Sequence, residues 1–190
     1  LEYWRRKFAS DEVMRSAKPN TGHLAVARLA ETGKVACVIT QNIDGLHQIS
    51  GVPEEKVIEL HGNTTYAACL ECEKRYELED IRPVVEVDGR APVCDACGGY
   101  VKTATISFGQ TMPADKMQAA QQESLACDLF ISIGSSLVVY PAAAFPEIAK
   151  RNGGRLVILN REPTGLDRLA DLLIHAEIGI TLSSAVAQLD

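Results

Sequence analysis

Short apolar runs that end abruptly in polar clusters alternate along this chain with longer stretches of helical period. The runs at residues 35–40, 57–60, 129–134, 155–159 and 172–174 have the length and β-branched content of buried strands. Helices are predicted over residues 3–17, 21–31, 113–126, 141–151 and 182–189. Pro19-Asn20-Thr21 opens the second of these and Gly33 closes it, while Pro113 suits the first turn of the third. Strands alternating with helices predict an α/β fold built on a doubly wound parallel sheet. Between about residues 66 and 102 the texture changes to Cys, Glu, Pro and Gly with no helical period. That stretch reads as an insertion with its own organising centre, so the expected division is residues 1–65 with 102–190 as one domain and 66–101 as a second.

An open parallel sheet binds its ligands beyond the carboxyl ends of the strands. The chemistry at those ends is therefore informative. The first run stops at Thr40-Gln41-Asn42-Ile43-Asp44-Gly45-Leu46-His47 and the second at His61-Gly62-Asn63. Imidazole is the side chain suited to take a proton near neutral pH, which makes His61 a candidate general base beside Asn42 and Asp44. Asn42 and Asp44 equally suit a plain turn before Gly45. Gly134-Ser135-Ser136 offers backbone N–H groups and hydroxyls at close approach to a ribose or phosphate. Asn160 and Glu162 follow the next strand, where a carboxylate commonly accepts from a ribose hydroxyl.

Cys69-x2-Cys72 and Cys94-x2-Cys97 are separated by 21 residues. Two such knuckles aim four thiolates at one centre, the tetrahedral set of structural zinc, and leave no open position for catalysis. Disulfides, an iron–sulfur cluster or a redox pair are the alternatives. Disulfides need an oxidising compartment that nothing in the sequence signals. Cys37 and Cys127 lie in or beside apolar runs and read as core residues.

The 190 residues are 46% hydrophobic and 23% charged, enough for a sizeable core. No apolar run approaches the roughly 20 residues of a membrane helix. A net charge of −6 argues against a nucleic-acid surface and allows basic partners such as lysine-bearing peptides. A cytoplasmic location is expected.

Taken together, these segments resemble the sirtuin family of NAD-dependent protein deacylases. The resemblance rests on the stretch from Thr40 to His47, on Leu60-His61-Gly62 and on the two Cys pairs. It continues through Ser107-Phe108-Gly109-Gln110, Gly134-Ser135-Ser136-Leu137 with Pro141, and Leu159-Asn160-Arg161-Glu162. It implies a Rossmann-like NAD-binding domain carrying a small zinc-binding insertion, with NAD and one structural zinc as cofactors. By resemblance His61 deprotonates a ribose hydroxyl of NAD after nicotinamide leaves, and the acyl group of an acyl-lysine passes to ADP-ribose. Asn42 and Asp44 are implied in the nicotinamide pocket, and Gln41 on the adjacent ribose. Gly134, Ser135, Ser136, Asn160 and Glu162 are implied on the adenosine side, with Ile178 against adenine. Near Ile178 the text His175-Ala176-Glu177 departs from the family's usual Gly-Asp. The acyl-lysine peptide is implied to add as a strand between Phe108-Gly109-Gln110 and the segment around Val139; Gln110 stands where the family usually has Glu. The family's opening Gly-Ala-Gly turn has no counterpart after Leu1. A piece of a longer protein with weak NAD binding is therefore expected. Mono-ADP-ribosyl transfer and a non-catalytic peptide-binding module are the competing readings.

Overall fold

The computed structural model describes residues 1–107 and 109–189, the side chain of Val13 excepted. Its elements in chain order are α1 (Glu2–Ser16), α2 (Thr21–Glu31), β1 (Val38–Thr40), α3 (Leu46–Ile49), β2 (Val57–Glu59), β3 (Gly62–Cys69), β4 (Arg75–Glu77), α4 (Leu78–Glu86) and β5 (Val101–Thr105). Then come α5 (Ala114–Ala126), β6 (Leu129–Ile133), α6 (Ala144–Arg151), β7 (Arg155–Leu159), β8 (Leu172–Ile174) and α7 (Ile178–Val186). They form two compact units. The first comprises Leu1–Lys18, Asn42–Leu46 and His61–Thr111; the second comprises Pro19–Gln41, His47–Leu60 and Met112–Asp190.

The second unit carries the expected α/β pattern. β1 pairs parallel with β2, and β6, β7 and β8 form a parallel three-stranded sheet in that order. Parallel strands need crossover segments, and the helical stretches between the apolar runs supply them. Leu156 and Ile158 of β7 are fully buried, as the middle strand of a covered sheet requires. Asn20 caps α2 in a reciprocal box, its Oδ1 accepting from His23 N at 3.1 Å while its own N–H donates to His23 Nδ1 at 3.3 Å.

The first unit is an antiparallel sheet of order β4-β3-β5 packed with α1 and α4. Trp4, Phe8, Leu78, Ile81, Val85 and Val101 form its core, and Trp4 Nε1 donates to Val101 O at 3.0 Å. Asp11 is buried within it. It takes a short hydrogen bond from Lys7 and accepts from Arg82 Nη2 at 2.9 Å, while the Arg82 guanidinium lies 4.2 Å over the Phe8 ring.

Three expectations are corrected. The region from 66 to 102 does hold a helix, α4, whose buried Leu78, Ile81 and Val85 recur at helical spacing. Its Pro83 and the flanking turn residues obscured that period. The last helix starts at Ile178 rather than residue 182, because Glu177 caps it by accepting from Ile180 N at 2.8 Å. The first strand is confined to Val38–Thr40.

Removing Asp11 leaves Lys7 and Arg82 without their buried counter-charge. Asp11→Ala is expected to destabilise the protein by roughly 3–5 kcal/mol. Glu2→Ala breaks the exposed Glu2–Arg6 pair and should cost under about 1 kcal/mol. Urea denaturation midpoints of the two variants check the contrast; equal midpoints would remove Asp11 from this role.

Candidate active site and metal centre

In the first unit, β3 departs from regular pairing. Gly62 pairs with Thr105 and Ala67 with Thr103, so Asn63–Tyr66 oppose Ala104 alone. A bulge of this kind re-aims backbone groups. Here it frees Thr64 N to donate to Ile43 O at 2.8 Å. That bond lays the segment Asn42–Asp44 along the segment that follows His61. The buried Asn63 braces the bulge, its Oδ1 accepting from Thr65 N at 2.8 Å and Thr65 Oγ1 at 2.7 Å.

His61 itself is fixed by its backbone. Its carbonyl accepts from Ile106 N at 2.9 Å. The next residue, Gly62, has φ +70° and lies so close to β5 that a Cβ would sit 1.9 Å from Ala104 O. Only glycine serves there. The His61 and Asp44 side chains are half-buried, and Asn42 is exposed. Asp44 Oδ1 accepts from Leu46 N at 3.0 Å, which caps α3. The turn role thus occupies one oxygen of the carboxylate.

Four thiols converge in the same unit. The Sγ atoms of Cys69, Cys72, Cys94 and Cys97 all lie within 4.8 Å of one another. Three of their separations are 3.4, 3.6 and 3.4 Å. Zinc bonded at about 2.3 Å to four sulfurs sets them about 3.8 Å apart, whereas a disulfide needs about 2 Å, so the donor set fits zinc. Tyr76 supports it. Its hydroxyl lies 3.1 Å from Cys94 Sγ and also bonds the Asp95 carboxylate, while Lys74 Nζ donates to both Asp95 oxygens at 2.7 and 2.8 Å. The hydroxyl bond holds the Cys94 thiol down to about 6, and Lys74 with Tyr76 holds the Asp95 carboxyl down to about 2. The Cys94 shift favours the thiolate that a metal needs, whereas side-chain hydrogen bonds with Cys72 and Cys69 push the Cys97 thiol up to about 12. The Tyr76–Asp95–Lys74 support went unread in the sequence, since nothing in the spacing marks those three residues as neighbours.

Of the expected substrate residues, Gly109 and Gln110 lie in the first unit and Phe108 lies outside the described residues. Gln110 Oε1 accepts from Ser107 N at 2.7 Å, and Gln110 N donates to Ser107 O at 3.0 Å, closing a tight turn.

Gln41, expected on the ribose beside nicotinamide, and the expected adenosine-side residues lie in the second unit, all but Ile178 just past the carboxyl ends of parallel strands. Gln41 follows β1. Gly134, Ser135 and Ser136 follow β6, and Asn160 and Glu162 follow β7. Gly134 N donates to Leu159 O at 3.0 Å, joining two of these ends. Gly134 has φ +63° and a Cβ there would meet Ile178 Cδ1 at 2.9 Å, so Gly134 and Ile178 are in contact. Ser135 Oγ accepts from Leu137 N at 3.2 Å, and Leu137 takes a left-handed φ of +56°. Val139 lies exposed two residues on.

Comparison with known proteins places this geometry. An NAD-dependent protein deacetylase of Rhodopseudomonas palustris is 56% identical over 185 residues, covering 97% of this chain and 73% of its own length. NAD-dependent protein deacetylase 1 of Bradyrhizobium diazoefficiens is 58% identical, covering 97% of this chain and 72% of its own. A solved structure of Sir2 bound to acetylated peptide superposes with a TM-score of 0.89 at 39% identity, covering 98% of this chain and 77% of that one. The sequence model of the Sir2 family matches residues 2–141, and the chain belongs to that family.

Proposed function

We propose that this chain acts as an NAD-dependent protein-lysine deacetylase, releasing nicotinamide and passing the acetyl group of an acetyl-lysine protein or peptide to ADP-ribose. The observation that carries the reading is the bulge in β3, which follows the backbone-pinned His61 and bonds Thr64 N to Ile43 O, between Asn42 and Asp44. Membership of the Sir2 family and relatives named as deacetylases support it.

NAD supplies an electrophilic ribose carbon and nicotinamide as the leaving group. The residues of the chain do the rest. His61 takes a proton from a ribose hydroxyl at its imidazole, a role for which a base near neutral pH is matched. Asp44 offers the acceptor that a primary carboxamide NH2 requires, and Asn42 offers both donor and acceptor. We assign Gln41, Gly134, Ser135, Ser136, Asn160, Glu162 and Ile178 to the remainder of the cofactor, and Gly109, Gln110 and Val139, with Phe108, to the peptide. Zinc, held by the four cysteines, secures the fold and leaves no open ligand position. Functionally we divide the chain into a cofactor-binding domain, residues 1–65 and 102–190, and a zinc-binding insertion, residues 66–101. No helix among the described residues is long and apolar enough to cross a membrane. Four reduced thiols suit a reducing compartment, and we assign the cytoplasm.

Three measurements test the assignment. His61→Ala is expected to lower turnover on an acetyl-lysine peptide by about 10²-fold or more, with zinc content and circular dichroism unchanged; parental turnover would exclude His61 as the base. Asp44→Asn replaces part of an acceptor with a donor, a mismatch of about 1–3 kcal/mol when buried, so nicotinamide inhibition should weaken by about 5-fold or more. An unchanged inhibition constant would place the nicotinamide elsewhere. Elemental analysis should find one zinc per chain, and chelation should unfold the region from Cys69 to Cys97, because structural zinc is worth on the order of 10–16 kcal/mol in zinc peptides. Absence of zinc with the cysteines oxidised in pairs would overturn the metal site.

A further inference from the structure

One side chain, His175, holds the start of the loop that carries Asn160 and Glu162 and faces its far end. His175 follows β8, and its Nδ1 lies 3.1 Å from Asn160 O at the start of the loop. A carbonyl oxygen only accepts, so Nδ1 bears the proton. The other ring nitrogen, Nε2, faces Asp167 Oδ2 at 3.6 Å at the far end of the loop, where it forms an ion pair when the ring is charged. The second oxygen of Asp167 is already engaged, accepting from Thr164 N at 3.0 Å and Thr164 Oγ1 at 2.6 Å. That carboxylate is therefore fixed, with one oxygen aimed at the imidazole.

Asn160 is consequently held on every polar group of its backbone. Its N–H donates to Ile174 O at 3.2 Å, and its carbonyl accepts from His175. Its side-chain Nδ2 donates to Glu162 O at 2.7 Å, which folds the next two residues back over it. The other acids close in sequence are turned away from the ring. Glu177 accepts from Ile180 N at 2.8 Å, and Asp171 is taken up by Lys150 Nζ at 2.6 Å and Leu156 N at 2.7 Å.

We propose that His175 is a positioning residue that clamps the start of the loop at Asn160 and thereby presents Asn160 and Glu162 to the adenosine side of NAD. The proposal rests on the assignment of those two residues to the cofactor. The geometry also specifies which replacement keeps the clamp. Asparagine places an amide N–H donor at the position of Nδ1, whereas glutamine moves it one bond further out and away from Asn160 O.

Hydrogen–deuterium exchange and NAD titration on the same four proteins decide it. In His175→Ala, exchange of amides 160–167 should accelerate by about 10-fold while the segment of β6 stays protected. The Kd for NAD should rise by about 5-fold, the worth of one net hydrogen bond, with peptide KM and kcat within 2-fold. His175→Asn should restore both exchange and Kd, and His175→Gln should restore neither. Unchanged exchange in His175→Ala overturns the clamp. Faster exchange with an unchanged Kd overturns the link to the cofactor. If NAD at saturation protects none of the amides 160–162 of the parent protein, the cofactor assignment has failed, and the exchange data still decide the clamp on their own.

Discussion

At residue 62 there is no room for a side chain. The backbone of β3 passes so close to β5 that any Cβ would overlap the Ala104 carbonyl. This close approach sets the direction of the chain on both sides. Before it, His61 is pinned through its carbonyl to Ile106 N. After it, the strand cannot keep register and bulges over Asn63–Tyr66. The bulge then gives Thr64 N to Ile43 O, which fixes the Asn42–Asp44 segment. Backbone bonds of this kind fix where the Cα atoms of these residues lie.

The four-cysteine centre works on a different scale. The first unit is small, and its sheet has three strands, too little buried surface to be secure alone. The four cysteines lie at the β3 end and in the turn before β5, so a metal held by them would join the two and fix residues that a modest core would leave loose. Tyr76, Asp95 and Lys74 extend that centre outward, so the thiolate charge is met by hydrogen bonds on its protein side. Asp11 with Lys7 and Arg82 forms a separate buried charge cluster in the same unit. Stability and chemistry are thus supplied by different residues, which is why zinc can be structural in an enzyme whose reaction involves a charged cofactor.

The second unit shows the complementary arrangement. Its parallel strands end together, and hydrogen bonds cross between neighbouring ends, from Gly134 to Leu159 and from Asn160 to Ile174. Small residues at Gly134–Ser136 leave backbone exposed, while Ile178 fills the space beside Gly134. Rigid strand ends carrying short polar residues are the general solution for holding a dinucleotide.

The sequence by itself determined the α/β class and the four cysteines that converge on one centre, and it marked His61, Asn42 and Asp44 as candidates. Each of these depends on local period, fixed spacing or a contiguous motif. It did not reveal α4, because Pro83 and neighbouring turn residues masked the spacing of Leu78, Ile81 and Val85. Nor did it reveal that β3 pairs with β5, since the weak alternation of Gly62–Cys69 signals no strand and its partner lies some thirty residues away. The supports of the site were equally hidden: Tyr76 beneath Cys94, Thr64 on Ile43, and His175 joined to Asn160. These contacts are decided by tertiary structure because each links residues far apart in sequence. Only packing, sheet register and the path of the backbone bring their donors and acceptors within 3 Å or so.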